Sequence, residues 1–157
     1  MKCVLFTMVV VLVCMTVRAT NDRTDHMYEG LGTIFNINEN EVIACFNKTG
    51  ATREDVRVLQ ASTPHGFDLP ENQPSVKKAV CALVCCAQKQ GTMVGDKIQA
   101  PIIHDLINKS DMPIEVKGAV NAIITECSEQ VKGLTGDCNV GLRFFTCLTT
   151  LSEYFGY

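Results

Sequence analysis

Histidine is scarce in this 157-residue chain: His26, His65 and His104 are all it has. Catalysis and metal binding need polar groups that converge, and His104-Asp105 stands beside nothing that resembles a catalytic motif. Basic residues cluster nowhere beyond Lys77-Lys78. A nucleic-acid binder draws most of its affinity from phosphate contacts, so that class is excluded. Sustained period-2 alternation is also missing, which argues against a sheet protein. There is no internal repeat and no low-complexity tract. Beyond residue 17 no apolar run reaches the roughly 20 residues that a membrane span needs, so no membrane insertion is expected.

Cysteine, by contrast, is abundant, with nine residues. Its meaning depends on the compartment. Met1-Lys2 is a short positive start, Cys3 to Val17 is almost wholly apolar, and Val17-Arg18-Ala19 places small residues at the −3 and −1 positions of a cleavage site. The apolar run of about 15 residues is short for an anchor. Residues 1–19 are therefore expected to be a secretory signal peptide, and residues 20–157 a single extracellular domain. Cleavage removes Cys3, Cys14, Lys2 and Arg18, leaving seven cysteines and 12 basic against 17 acidic residues, a formal charge of −5. That charge favours solubility.

The remaining pattern is helical. Tyr28 to Ile37 is ambiguous, because Gly30 and Gly32 interrupt it; a short helix and an irregular lead-in both fit. Asn38 with Glu41 three residues on reads as a capping box, Val42, Ile43, Cys45 and Phe46 as the apolar face behind it, and Thr49-Gly50 as the stop. Thr52 caps a second helix with Val56 and Leu59 inside. His65 to Pro74 is a loop. The stretch from Ser75 or Pro74 to Gln90, ended by Gly91, is the central helix. Met93-Val94-Gly95-Asp96 is a turn. Gln99 to Asn108 forms a compact helix, Asp111 caps the next, and Asp137 caps the last. The expected fold is all-α, with about six helices.

Cys81 and Cys85 lie one turn apart on the central helix, placed to staple two other segments to it. Besides Cys86, the mature cysteines run C-x35-C-x3-C-x41-C-x10-C-x8-C from Cys45 to Cys147. Six cysteines allow 15 pairings, and spacing alone selects none. The x3 and x8 gaps, the leader and the all-helical pattern together resemble the insect odorant-binding protein family, the pheromone-binding and general odorant-binding group of six-cysteine type. The resemblance covers essentially the whole mature chain. It implies the interlocked pairing Cys45–Cys85, Cys81–Cys138 and Cys127–Cys147, closing loops of about 41, 58 and 21 residues. Each would constrain the unfolded chain by roughly 3–4 kcal/mol, not additively. Two features depart from the pattern: Cys86 is a seventh cysteine, which reads either as a buried free thiol or as an intermolecular bridge or mispairing hazard beside Cys85, and the x35 gap is long, with His65–Pro74 as the extra loop.

The resemblance implies a secreted, non-enzymatic carrier of small hydrophobic molecules such as odorants or pheromones, with helices held around an apolar cavity. Inward residues are the lining candidates: Val80, Leu83 and Val84; Ile102, Ile103 and Leu106; Val120, Ile123 and Ile124; Phe145 and Leu148. Tyr154, Phe155 and Tyr157 form an aromatic tail that could lie over the pocket as a lid. Ligand release at acidic surfaces is also implied, with His65 and the tail carboxylate as titrating groups. The expected partner is a small hydrophobic ligand, with delivery to a membrane receptor and homodimerisation left open. No cofactor and no metal are expected, since Cys81, Cys85 and Cys86 are better explained as disulfide chemistry in this compartment. A secreted phospholipase is a poor rival, because His104-Asp105 lacks flanking cysteines and a preceding Gly-rich calcium loop. Two alternatives remain: a carrier of lipids, hormones or toxins in haemolymph or gland secretions, and a secreted helical signalling protein with a filled core. Asn47-Lys48-Thr49 and Asn108-Lys109-Ser110 match the glycosylation acceptor pattern.

Overall fold

The structure is a computed structural model that describes residues 26–62, 66–67 and 69–154, the side chains of residues 153 and 154 aside. The expected leader, His65 and the last three residues of the tail lie outside the described residues. Those residues form seven helices: α1 His26–Phe35, α2 Glu39–Thr49, α3 Arg53–Ala61, α4 Gln73–Gln90, α5 Ala100–Lys109, α6 Ile114–Gln130 and α7 Asp137–Tyr154. The all-α expectation holds. The additional helix is α1, the ambiguous lead-in.

A ten-residue helix is marginal on its own, and α1 is held by tertiary contacts. The Tyr28 ring meets Phe46 of α2 edge-on at 5.2 Å between centroids. Arg53 of α3 sits 5.4 Å over the same ring. Gly32, read as an interruption, is where the backbone folds back. Its carbonyl accepts the Ile37 N–H at 2.9 Å, and a Cβ there would lie 2.8 Å from the Ile37 carbonyl oxygen.

The caps read from sequence for α2 and α3 behave as written. The Asn38 side chain accepts the Glu41 N–H at 3.0 Å, and the Glu41 carboxylate accepts the Asn38 N–H at 3.2 Å. Gly50 ends α2 in the left-handed region at φ 66°. Thr52 and Asp55 repeat the box on α3. Three boundaries differ from expectation, the first being that Asp137 is the first residue of α7 rather than its cap, since the Gly136 carbonyl accepts the Val140 N–H. Asp111 does not cap α6; Pro113 holds that position, since its fixed φ suits a helix entrance. The turn at Gly95-Asp96 carries a small antiparallel hairpin, β1 Met93–Val94 with β2 Lys97–Ile98, in the register Met93 to Ile98. Met93 is 2% exposed and anchors the hairpin in the core.

Helix α4 is the centre, packing on α2, α3, α7 and β1. Val76, Ala79, Val80, Ala82, Val84 and Cys86 are buried, more than one face of the helix, as a surrounded helix requires. All three disulfides implied by the resemblance are present. Cys45–Cys85 ties α2 to α4, Cys81–Cys138 ties α4 to α7, and Cys127–Cys147 ties α6 to α7, with Cα separations of 5.5, 4.8 and 5.6 Å. The Cys81 and Cys85 sulfurs thus reach opposite neighbours from adjacent turns. Gly141 follows Cys138 by one turn and faces Val84, one turn after Cys81. A Cβ at Gly141 would stand 2.1 Å from Val84 Cγ2, so the close approach of α4 and α7 depends on the missing side chain.

Candidate functional site: an apolar seam between two cores

Burial divides into two clusters. The larger takes in Leu31, Val42, Phe46, Val56, Val76, Val80, Val84 and Val140 from α1 to α4 and α7. The smaller is Ile107, Ile123, Ile124, Cys127 and Leu148 from α5, α6 and α7. Helix α5 packs chiefly on α6, and α6 on α5 and α7. The α5–α6 pair therefore joins the α4-centred body mainly through α7. Phe144 is the joint, being half-buried and packed against both clusters. Leu83, Leu142 and Phe145 are half-buried on the larger cluster's side, and Ile103, Val120 and Leu151 on the smaller's.

The predicted lining residues separate along this boundary. Val80 and Val84 lie in the larger core at 2% and 6% exposure; Ile123, Ile124 and Leu148 lie in the smaller. Leu83, Ile103, Val120 and Phe145 are the partly buried residues of the set. Ile102 and Leu106 are on the outer face of α5, each 44% exposed. Tyr154 ends α7; Phe155 and Tyr157 lie outside the described residues. Two residues absent from the predicted set pack against its members. Phe144 carried a readable signal, since it precedes Cys147 by three residues and so shares the face that Cys147 turns toward α6. Phe67 carried none: it lies in the long loop, yet is 3% exposed and meets Phe145 at 5.6 Å between centroids.

The seam is apolar chemistry. Elsewhere the buried Thr149 hydroxyl donates to the carbonyls of Phe145 and Thr146 and that of Thr92 to the Ala87 carbonyl, whereas the buried Asn121 Oδ1 of α6 accepts no hydrogen bond from the described residues. Among the described residues two titratable groups shift, and both sit in the α2–α4 body. Burial pushes the Asp55 carboxyl up, but hydrogen bonds from Ser75 and Thr52, with the Lys78 charge, outweigh it and hold the pKa below its ordinary value. Asp55 thereby clips the start of α3 to the start of α4. Burial pushes the Cys86 thiol up to about 11, which leaves it a small hydrophobe rather than a nucleophile. His104 of α5 pairs with the Thr125 hydroxyl of α6 at 3.3 Å and braces that pair of helices. Surface grooves of about 550 Å³ and about 210 Å³ lie beside α1 and between α6 and α7. No predicted lining residue borders either. No helix among the described residues is long and apolar enough to cross a membrane.

Among the described residues, seven helices, three staples interleaved along the chain and a joint of apolar side chains define a disulfide-bonded all-α scaffold. The model of the PBP/GOBP family matches residues 39–150, from the first residue of α2 into the last turns of α7, with all six framework cysteines inside. The chain belongs to that family, the insect odorant- and pheromone-binding proteins, whose members bind small hydrophobic ligands and are carriers rather than enzymes. Comparison with curated proteins and with solved structures gives no match.

Proposed function

We propose that this protein is a secreted, non-enzymatic carrier that takes up one small hydrophobic molecule, of odorant or pheromone type, in the seam between its two cores. Residues 1–19 are the cleaved leader and residues 20–157 the carrier. Leu83, Ile103, Val120, Phe144 and Phe145 contact the ligand, and the aromatic tail closes over it. The observation that carries this reading is the half-buried apolar joint at Phe144. Cross-linked helices need not pack every centre solid to stay folded, and a mostly apolar recess suits an apolar ligand. Affinity comes from apolar burial at about 25 cal/mol per Å², less the cost of association.

The test is titration of an environment-sensitive apolar dye into oxidised Thr20–Tyr157, beside a reduced control. Saturable one-site binding, displaced by volatile apolar compounds and lost on reduction, is expected. A folded, three-disulfide protein that takes up no dye would instead have a filled core and act through its surface. Removal of residues after Ser152 should change dye affinity and off-rate; no change in either would end the lid role.

A further inference from the structure

Of the two acceptor motifs for N-linked glycans, the folded structure treats only Asn47 as a free surface position. Asn47 lies in the last turn of α2 and is exposed, on the side that also exposes Asn40, Ala44 and Lys48. Val42, Cys45 and Phe46 are the buried face of the same helix. The Asn47 carbonyl accepts the Gly50 N–H of the helix stop, while its side-chain amide makes no hydrogen bond to the described residues. Helix α2 packs on α1 and α4, so a sugar there stands clear of α5 and α6, which line the seam. Asn108 is exposed too, but Asn121 and Lys117 of α6 meet it at the α5–α6 junction, so the folded chain has less room for a sugar on its amide. Its side-chain oxygen accepts from Asn121 at 2.9 Å, and its carbonyl accepts from Lys117 at 2.8 Å.

We infer that Asn47 carries an N-linked glycan and that Asn108 does not, an inference that rests on the secretory reading above. In the folded helix the Thr49 hydroxyl is already used, donating to the carbonyls of Cys45 and Phe46. Modification must therefore precede closure of this turn. Chain order allows it, because the 11-residue α2 is marginal alone and waits for the later-made α4 to pack against it. The nearby staple needs Cys85, 38 residues after Asn47, which at 5–20 residues per second is made about 2–8 s later. In the transfer, Asn47 Nδ2 forms a bond to the anomeric carbon of an oligosaccharide carried on a lipid diphosphate. The carbon–oxygen bond to the diphosphate breaks, and Nδ2 gives up one proton. The bulky product is tolerated because that face of α2 meets solvent.

The experiment is secretion of the full chain, residues 1–157, from insect cells, followed by peptide mapping with and without peptide-N-glycosidase F in ¹⁸O-water. Expected is secreted protein whose gel mobility shifts on deglycosylation, with an ¹⁸O-labelled aspartate at position 47 and unlabelled Asn108. Asn47→Gln should lose the shift and Asn108→Gln keep it; mapping of the unmutated chain decides the matter if either variant is not secreted. Secreted protein with unmodified Asn47, or with the glycan on Asn108 instead, overturns the inference and leaves the carrier reading standing. Protein retained in the cytosol with its leader attached overturns the secretory reading and the glycan together.

Discussion

Adding one methyl group at Gly141 should expose how closely α4 and α7 are pressed together. Gly141 is buried in α7, and a Cβ there would lie 2.1 Å from Val84 Cγ2. Carbon atoms rest at about 3.5–4.0 Å, so Val84 must move by more than an ångström. It has little freedom to do so: Val84 is 6% exposed, valine in a helix strongly prefers one rotamer, and the Cys81–Cys138 bond one turn away holds the two backbones 4.8 Å apart at Cα. Two terms oppose each other in Gly141→Ala. Helix propensity gains about 1 kcal/mol, and overpacking costs about 1–3 kcal/mol. The net result lies between no change and a loss of about 2 kcal/mol, so the single variant is not decisive. The double-mutant cycle is. With Val84→Ala the clashing methyl is gone, and the remaining neighbours of the new Cβ, at 3.6 and 3.7 Å, are ordinary contacts. In that background Gly141→Ala should keep its propensity gain, and the added methyl should fill part of the space Val84 left. The coupling should equal the overpacking term, about 1–3 kcal/mol. Urea unfolding followed by circular dichroism, disulfides intact, reads this as a midpoint difference, each kcal/mol moving it by about 0.3–1 M. A coupling under about 0.5 kcal/mol would be simple additivity and would refute the close contact.

Asp55→Asn should cost about 1–2 kcal/mol at pH 7, through the weakened capping box and the lost clip to Ser75. Because the folded-state pKa of Asp55 is depressed, its contribution is present in full above the unfolded value and lost as pH falls through the folded one. Urea midpoints of the wild type should therefore fall below about pH 4 more steeply than those of Asp55→Asn; parallel curves would contradict this. Cys86 is fully buried, and its pKa of about 11 leaves about one thiolate in a thousand at pH 8. A thiol reagent should label it orders of magnitude faster in denaturant than in the native protein, whereas rapid native labelling would place it at the surface. Asn38→Ala should lose about 1 kcal/mol with the capping box of α2, read in the same urea assay. Val120→Trp should obstruct the seam from α6 and weaken dye binding at least tenfold, about 1.4 kcal/mol. Unchanged affinity would place the ligand elsewhere.

What the chain states by itself is what short-range chemistry encodes. Asn38 and Glu41, Thr52 and Asp55, and Gly50 and Gly91 each act within one turn, so the starts of α2 and α3 and the stops of α2 and α4 are written in neighbouring residues. The Cys81–Cys85 spacing likewise announces a helix stapled on both sides. The pairing was available only through resemblance, because partners 40, 57 and 20 residues apart leave no local trace of which meets which. Tertiary structure alone decided the rest. The lead-in became α1 because Phe46 and Arg53 meet Tyr28. Phe67 turned inward from a loop to reach Phe145. Ile102 and Leu106 match the helical period as well as Ile103 does, yet α6 covers one side of α5 and leaves theirs exposed. Periodicity marks an apolar stripe, but only a neighbouring helix decides which part of the stripe becomes core, seam or surface. Gly141 makes the same point: nothing in its sequence neighbours requires a glycine, and the requirement comes from Val84, 57 positions earlier in the chain.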